Sequence, residues 1–251
     1  MAKNNHFERS FSELNSLLRE QAVTVRDSQS REVADFARGM AAVSGAVVVV
    51  SDLAGESSMI FPGAFAAELG IEDYCCENSI WEKRILNLMT LPEQEAKIIA
   101  ELRFFHHVRR MGKRRSRYFL MSKLRFNLAC GRTQDVLHRM YYIYGANGAE
   151  VRYAVCVYEP LAVDFKGRSV VVDMMTGVRE ELDAGSDANI ISARERQVLA
   201  LIDGGLTSKE IAARLNISLH TVSRHRQEIL AKLQVKSSIE ACRMARSMEL
   251  I

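Results

Sequence analysis

No stretch of this 251-residue chain is apolar for long enough to span a membrane. The longest apolar run, Ala41 to Val50 with Ser44 and Gly45 inside it, is about half of the roughly 20 residues that a spanning helix requires. The opening MAKNNHFERSFSEL lacks the hydrophobic region of a signal peptide, so the expected location is cytoplasmic. Cysteine is scarce and unpatterned: Cys75, Cys76, Cys130, Cys156 and Cys242 are odd in number and have no metal-type spacing. Buried free thiols are expected, with a redox role for the adjacent Cys75 and Cys76 as the alternative, although no thiolate-stabilising neighbour is visible. The chain also lacks a glycine-rich phosphate loop, a Gly-x-Ser-x-Gly elbow and any His and carboxylate cluster at metal spacing. The acidic pair of a phosphoacceptor receiver domain is missing too, since Asp52 stands alone after Val47 to Val50. These absences argue against an enzyme, a metal and a cofactor.

The net charge of +3 is unevenly spread. Residues 190 to 251 hold 10 Lys and Arg against 6 Asp and Glu, whereas residues 1 to 189 hold 24 against 25. A basic C-terminal module beside a near-neutral partner is the charge pattern of a DNA binder with a control domain. Within that module, TSKEIAARLNISLHTVSRHRQEILAKL (Thr207 to Leu233) reads as two helices around a break at Asn216 to Ser218, with Ile211, Ala212 and Leu215 at helical spacing before it and Ile217, Val222, Ile229 and Leu230 after it. Thr207 with Glu210 forms a capping box for the first helix, and Ser218 caps the second. Val222, Ile229 and Leu233 are expected to face inward. Ser223, Arg224, Arg226 and Gln227 are expected to face outward with His220 and His225 near them, side chains suited to base edges and phosphates. A solvated helix face is the other reading of the same pattern.

The wider stretch, ISARERQVLALIDGGLTSKEIAARLNISLHTVSRHRQEILAKLQVKSSIEACRMAR, resembles the DNA-binding domain of LuxR-type transcription regulators. The resemblance rests on Ser192, Arg194, Glu195, Val198 and Leu199, on Gly205, Lys209 to Ala212, Leu215, Ile217 and Ser218, and on Thr221, Val222, His225, Lys232, Leu233 and Val235. It implies a four-helix domain whose third helix enters the major groove and whose fourth, Ser237 to Met244, pairs two subunits. It also implies that Thr207, Ser208, Lys209, Thr221, His225 and Lys232 contact phosphates and that Ser223, Arg224 and Gln227 read bases. Many members carry Lys at the position of Ser223, so base preference does not transfer, and Arg224 is expected to carry more of the readout.

Upstream, residues 1 to 38 read as helical, with Phe7, Phe11, Leu14, Leu17 and Leu18 on one stripe and Val33, Phe36 and Ala37 on another, either as cover for the next domain or as a dimerising helix. A Val-rich strand follows at Ala46 to Val50, then a turn at Asp52 to Gly55, a strand at Ser58 to Phe61, and a helix at Gly63 to Leu69 closed by Gly70. Helical segments are expected at Asp73 to Leu88 and Pro92 to Met111. Strands are expected at Arg117 to Leu128, Gln134 to Tyr144 and Ala149 to Glu159, the last two joined by an Asn147-Gly148 hairpin, and then a strand at Ser169 to Val172 and a short helix at Val178 to Leu182. SDLAGESSMIFPGAFAAELGI, together with that hairpin, resembles a PAS domain, although Pro62 stands where Asn is frequent. The resemblance implies a sensing or dimerising module with a pocket between sheet and helices. His106 and His107 are candidate haem ligands, with surface residues at a helix end as the expectation. Trp81, Phe104, Phe105, Phe119 and Phe126 are expected as core.

From Leu102 to Gln134 there are ten Lys or Arg and no acid: Arg103, Arg109, Arg110, Lys113, Arg114, Arg115, Arg117, Lys123, Arg125 and Arg132. This reads as a solvated or ion-paired loop, as a further DNA-backbone contact borne by Arg109, Arg110, Arg114 and Arg115, or as an anionic-effector site.

The expected architecture is α+β: a helical segment (1–38), a PAS-like antiparallel sheet with flanking helices (39–182), a linker (183–189) and an all-α four-helix LuxR-type helix-turn-helix domain (190–251). The expected function is a sequence-specific transcription regulator, dimeric on double-stranded DNA. The alternative is a small-molecule-responsive regulator of the autoinducer-binding type. A second copy of the chain, RNA polymerase and a small-molecule effector are candidate partners, and a membrane is not.

Overall fold

The computed structural model describes residues 2–19, 29–145, 148, 150–182, 191–233, 235, 237–247 and 250–251. The expected linker at 183–189 and Asn147 of the expected hairpin turn lie outside the described residues. Among the described residues, no helix is long and apolar enough to cross a membrane.

Helices α1 (Ala2–Arg19) and α2 (Gln29–Ser44) precede an antiparallel sheet. Its strands are β1 (Val47–Asp52), β2 (Ser57–Phe61), β3 (Cys76–Glu77), β4 (Tyr118–Asn127), β5 (Thr133–Tyr144), β6 (Val151–Pro160), β7 (Ser169–Asp173) and β8 (Arg179–Glu181), in the order β3-β2-β1-β6-β5-β4-β7-β8. Helices α3 (Phe65–Leu69), α4 (Lys83–Leu86) and α5 (Leu91–Arg110) lie between β2 and β4 in the chain. Asp52 makes the first turn by accepting from the amides of Ala54 (3.0 Å) and Gly55 (2.8 Å), as Asx turns do. Gly70 closes α3 in the left-handed region at φ 67°. Gly63 is required for closeness instead, because a Cβ there would stand 2.4 Å from the Ala46 carbonyl oxygen.

β1 is a run of valines because it is covered on both faces. Val47 and Val49 join the main core with α5 and the inner sides of β4, β5 and β6, while Val48 and Val50 pack with Ala37 and Ala41 of α2 and with Tyr153, Val155 and Val157. α2 therefore runs past residue 38 to Ser44, since Ala41 is needed on that outer face. α1 covers the main core: Leu14 and Leu18 are buried, Phe11 meets Trp81 at 4.6 Å, and Trp81 Nε1 donates to Asn15 Oδ1 at 2.8 Å.

Several expectations are corrected. Asp73 to Leu88 is not one helical region but the edge strand β3 and the single-turn α4, because Ile60 N donates to the Cys75 carbonyl (2.8 Å) and Ser58 Oγ to the Ser79 carbonyl (2.8 Å). Those tertiary bonds outweigh local helix preference. Val178 to Leu182 is likewise strand rather than helix: Gly177, at φ 71°, reverses the chain and lays β8 on β7. Cys75, Cys76 and Cys130 are exposed, and only Cys156 and Cys242 are buried. Cys75 lies just before the edge strand β3 and Cys76 on it, and Cys130 is in the β4–β5 turn, where no core is available.

His106 and His107 are also buried rather than at the surface, because α5 sinks its C-terminal half into the core. Burial, reinforced by Arg109 and Arg110, pushes the His106 pKa down to about 3. Burial also lowers the pKa of His107, against the opposing charge of Glu180. An unfolded histidine binds its proton near pH 6.5, so below that pH the unfolded chain takes up protons that the folded chain refuses. Stability is expected to fall as pH drops from about 6.5 towards 3, by on the order of 1.4 kcal/mol per pH unit for His106. Urea titrations followed by Trp81 fluorescence at several pH values check this, with a shallower pH dependence expected for His106→Gln.

Candidate nucleic-acid interface

The second core belongs to four C-terminal helices: α6 (Ala193–Asp203), α7 (Ser208–Leu215), α8 (Leu219–Leu233) and α9 (Ser238–Ser247). Val198, Leu199, Ile211, Val222, Ile229 and Ala241 fill its centre. The helix ends follow from local chemistry. Ser192 and Glu195 form a capping box on α6, Thr207 and Glu210 form one on α7, and Ser218 Oγ accepts from Thr221 N at 3.0 Å at the start of α8. Asn216 ends α7 in the left-handed conformation at φ 51°, which an Asn tolerates better than most side chains. The short connection from Asn216 to Ser218 then redirects the chain into α8.

α8 has two unlike faces. Val222, Ile229 and Leu233 are buried at 0%, 1% and 3% exposure, while His220, Ser223, Arg224 and Gln227 are exposed. Arg224 Nε donates to Glu228 Oε1 at 2.8 Å, one turn on, and His225 Nδ1 lies 3.4 Å from Glu228 Oε2. Thr221 is half-buried, and its hydroxyl is 2.8 Å from that of Ser218. On α7, Lys209 is exposed beside the capping Thr207, and Ser208 is half-buried.

Two expected contacts are engaged inside the domain. Arg226 is half-buried, with its guanidinium donating to Ser208 Oγ (3.2 Å) and Ser238 Oγ (2.9 Å), so it ties α7, α8 and α9 together instead of facing outward. Lys232 Nζ sits 2.7 Å from both carboxylate oxygens of Glu195, although its own side chain remains 44% exposed. Burial raises the Glu195 pKa, but the bonds from Lys232 and Ser192 outweigh it and hold the carboxyl below its ordinary range. Neither arrangement is legible from position on the helical wheel, which records a side chain's direction but not the partner it reaches across the domain. Two further residues matter for assembly of the domain: Arg194 Nη2 donates to the Leu215 carbonyl at 2.9 Å, satisfying the end of α7, and Arg246 of α9 pairs with Asp203 of α6. Ile239, on α9, is 74% exposed.

Two capped helices joined by a short turn, with the second presenting polar groups outward, define a helix-turn-helix domain. More particularly, residues 189–245 match the bacterial regulatory proteins of the luxR family, and the C-terminal part of the chain is a LuxR-type helix-turn-helix domain. That family is one of transcription regulators, not of enzymes. Among similar proteins, the transcriptional regulatory protein FixJ of Rhizobium meliloti is 37% identical over 111 residues, covering 38% of this chain and 54% of FixJ. DesR of Bacillus subtilis is 46% identical over 59 residues, covering 24% of this chain and 30% of DesR. The nitrate/nitrite response regulator NarL of Escherichia coli is 46% identical over 55 residues, covering 22% of this chain and 26% of NarL. The chain thus spans about half of FixJ and less than a third of DesR or NarL. Among solved structures, the phage VqmA–DPO complex is similar at 16% identity and a TM-score of 0.30, over 89% of this chain and 92% of that one.

Proposed function

We propose that the protein is a sequence-specific DNA-binding transcription regulator that acts as a dimer on a near-palindromic site, with a PAS-like input domain before its DNA-binding domain. The observation that carries this reading is α8, whose buried Val222, Ile229 and Leu233 hold Ser223, Arg224 and Gln227 on one exposed face. Ser223, Arg224 and Gln227 read base edges, while Thr207, Lys209, His220 and Thr221 position the domain on phosphates. Ser208, His225 and Lys232 join the phosphate set, Lys232 by exchanging part of its bond to Glu195. Arg226 acts indirectly by fixing α8 against α7 and α9. Dimerisation through α9 is supported by the exposed Ile239, an aliphatic side chain available for a second copy. The PAS-like reading is supported by the strand order β2-β1-β6-β5-β4 with α3 to α5 inserted between β2 and β4. The working location is the cytoplasm, with double-stranded DNA as partner and RNA polymerase and an effector as further ones.

Selection of genomic fragments by the purified full-length protein tests the reading. A common, near-palindromic motif with half-sites about one helical turn apart is expected. Recovery of fragments without a shared motif would overturn it.

The basic block contributes less than its composition implies. Arg117 pairs with Asp173, Lys123 with Asp164 and Arg125 with Asp135, while Arg109 lies over the Phe105 ring and Arg115 over Tyr144. Arg110, Lys113 and Arg114 are exposed where α5 ends and a 3-10 turn, Gly112–Arg117, begins. If these three meet the DNA backbone, replacing all three by alanine lowers the slope of log affinity against log salt by about 0.9 for each phosphate no longer neutralised. An unchanged slope would assign the block to solvent.

A further inference from the structure

The core beneath α1 contains a polar cluster that the DNA-binding reading does not use. Lys97 and Glu101 lie one turn apart on α5, both almost fully buried, with Lys97 Nζ donating to Glu101 Oε1 at 2.6 Å. Facing them from the sheet are His138 of β5 and Cys156 of β6. His138 pairs across the ladder with Tyr158 and Cys156 with Met140, so the two side chains are diagonal neighbours on the same sheet face. Ligating atoms of Glu101, His138 and Cys156 all lie within 4.8 Å of one another. His138 is wholly buried, and neither of its ring nitrogens has a hydrogen-bond partner among the described residues. Its Nε2 stands 3.9 Å from Glu101 Oε1. Buried imidazoles are ordinarily satisfied on at least one nitrogen, so the orphaned ring points to a group that accepts its lone pair.

A small cavity adjoins the cluster at Glu101 and Cys156. It measures about 20 Å³ and is lined by Ser51, Glu82, Lys97, Glu101, Tyr142 and Cys156 among apolar side chains, and not by His138. That space suits one water-sized particle and is far below the several hundred Å³ of an organic ligand site. The donor chemistry of Glu101, His138 and Cys156, whose ligating atoms converge, selects an ion over a water.

We propose that Glu101, His138 and Cys156 form a site for one borderline divalent transition-metal ion, of the class of Zn²⁺, buried in the N-terminal domain. One carboxylate, one imidazole and one thiolate form a donor set suited to that class rather than to Mg²⁺ or Ca²⁺. Lys97 is a positioning residue that orients the carboxylate, as hydrogen-bonded partners of ligating groups do. On binding, Cys156 gives up its thiol proton to solvent and its sulfur lone pair bonds to the metal, so no electron transfer is involved. The donors come from α5, β5 and β6, which is why no ligand spacing is legible in the sequence.

The test uses full-length protein, reduced and stripped with a chelator, then titrated with Co²⁺ as an optical probe. One Co²⁺ per chain is expected, with a thiolate-to-cobalt charge-transfer band that Zn²⁺ abolishes by displacement. Cys156→Ser is expected to lose the band and weaken binding roughly 10- to 100-fold, while a Cys75, Cys76 and Cys130 triple serine variant keeps both. His138→Gln, the second variant should Cys156→Ser fail to fold by circular dichroism, is expected to weaken Co²⁺ binding at least about tenfold. No band in the wild-type protein, a band that survives Cys156→Ser, or unchanged affinity in His138→Gln would each overturn the proposal. The measurement involves no DNA, so its outcome is independent of the regulatory reading.

Discussion

Arg224→Ala is expected to weaken binding to the selected DNA site roughly 5- to 150-fold and to relax preference at one base pair per half-site, while binding to unrelated DNA changes little. The expectation follows from where the guanidinium sits. Arg224 is exposed in mid-helix, two residues after the fully buried Val222, so the backbone that carries it is fixed while its side chain remains free to swing. It is held by a bond to Glu228 at 2.8 Å. An exposed pair one turn apart is weak and is readily exchanged for guanine O6 and N7, where a fork of two donors matches two acceptors. Lys209→Ala provides the contrast. Exposed at the start of α7, it is expected to lower affinity for all sequences alike and to reduce the salt slope by about one. Competition binding with single-base variants of the site separates the two. Equal losses on specific and unrelated DNA for Arg224→Ala would remove it from the reading set.

Phe104→Ala is expected to destabilise the N-terminal domain by about 3–5 kcal/mol, a large part of the total for a domain of this size. Phe104 has no exposed surface and stacks on Tyr142 at 5.2 Å, between α5 and the sheet. Removing the ring leaves a cavity that α5 cannot close, since its neighbours Leu102, Phe105 and Val108 are themselves buried in place. Among the described residues, the C-terminal core shares no buried residue with this one. Calorimetry is therefore expected to show one transition lowered by roughly 10 °C or more and a second, belonging to α6 to α9, nearly unchanged. A single transition moving as a whole would show that the two cores unfold as one unit.

How much of the structure is legible in the sequence varies along the chain. The caps at Thr207 and Ser218 and the inward Val222, Ile229 and Leu233 are local matters of residue type and helical spacing, and the structure has them as expected. The same holds for β1, β2, β4, β5 and β6, whose composition and alternation survive because they lie at the centre of the sheet. The failures are at its margins and in its interior. Segments 73–88 and 178–182 read as helical from local propensity, yet β2 recruits Cys76–Glu77 of the first and β7 recruits Arg179–Glu181 of the second as edge strands, which only the neighbouring strand can decide. The histidines of α5 show the same limit from the other side. Their positions near a basic helix end suggest exposure, whereas burial depends on how deeply the whole helix is set.

The sequence by itself determined the existence and type of the regular elements at the centre of each core, the caps of α7 and α8 and the face of α8 that carries Ser223, Arg224 and Gln227. These depend on interactions over a few residues, which periodicity and capping chemistry record. Only the tertiary structure decided that Arg226 binds Ser208 and Ser238, that Lys232 clasps Glu195, and that Glu101, His138 and Cys156 converge under α1. Such contacts join residues far apart in the chain, and their geometry exists only once the packing of helices and strands has fixed the distances between them.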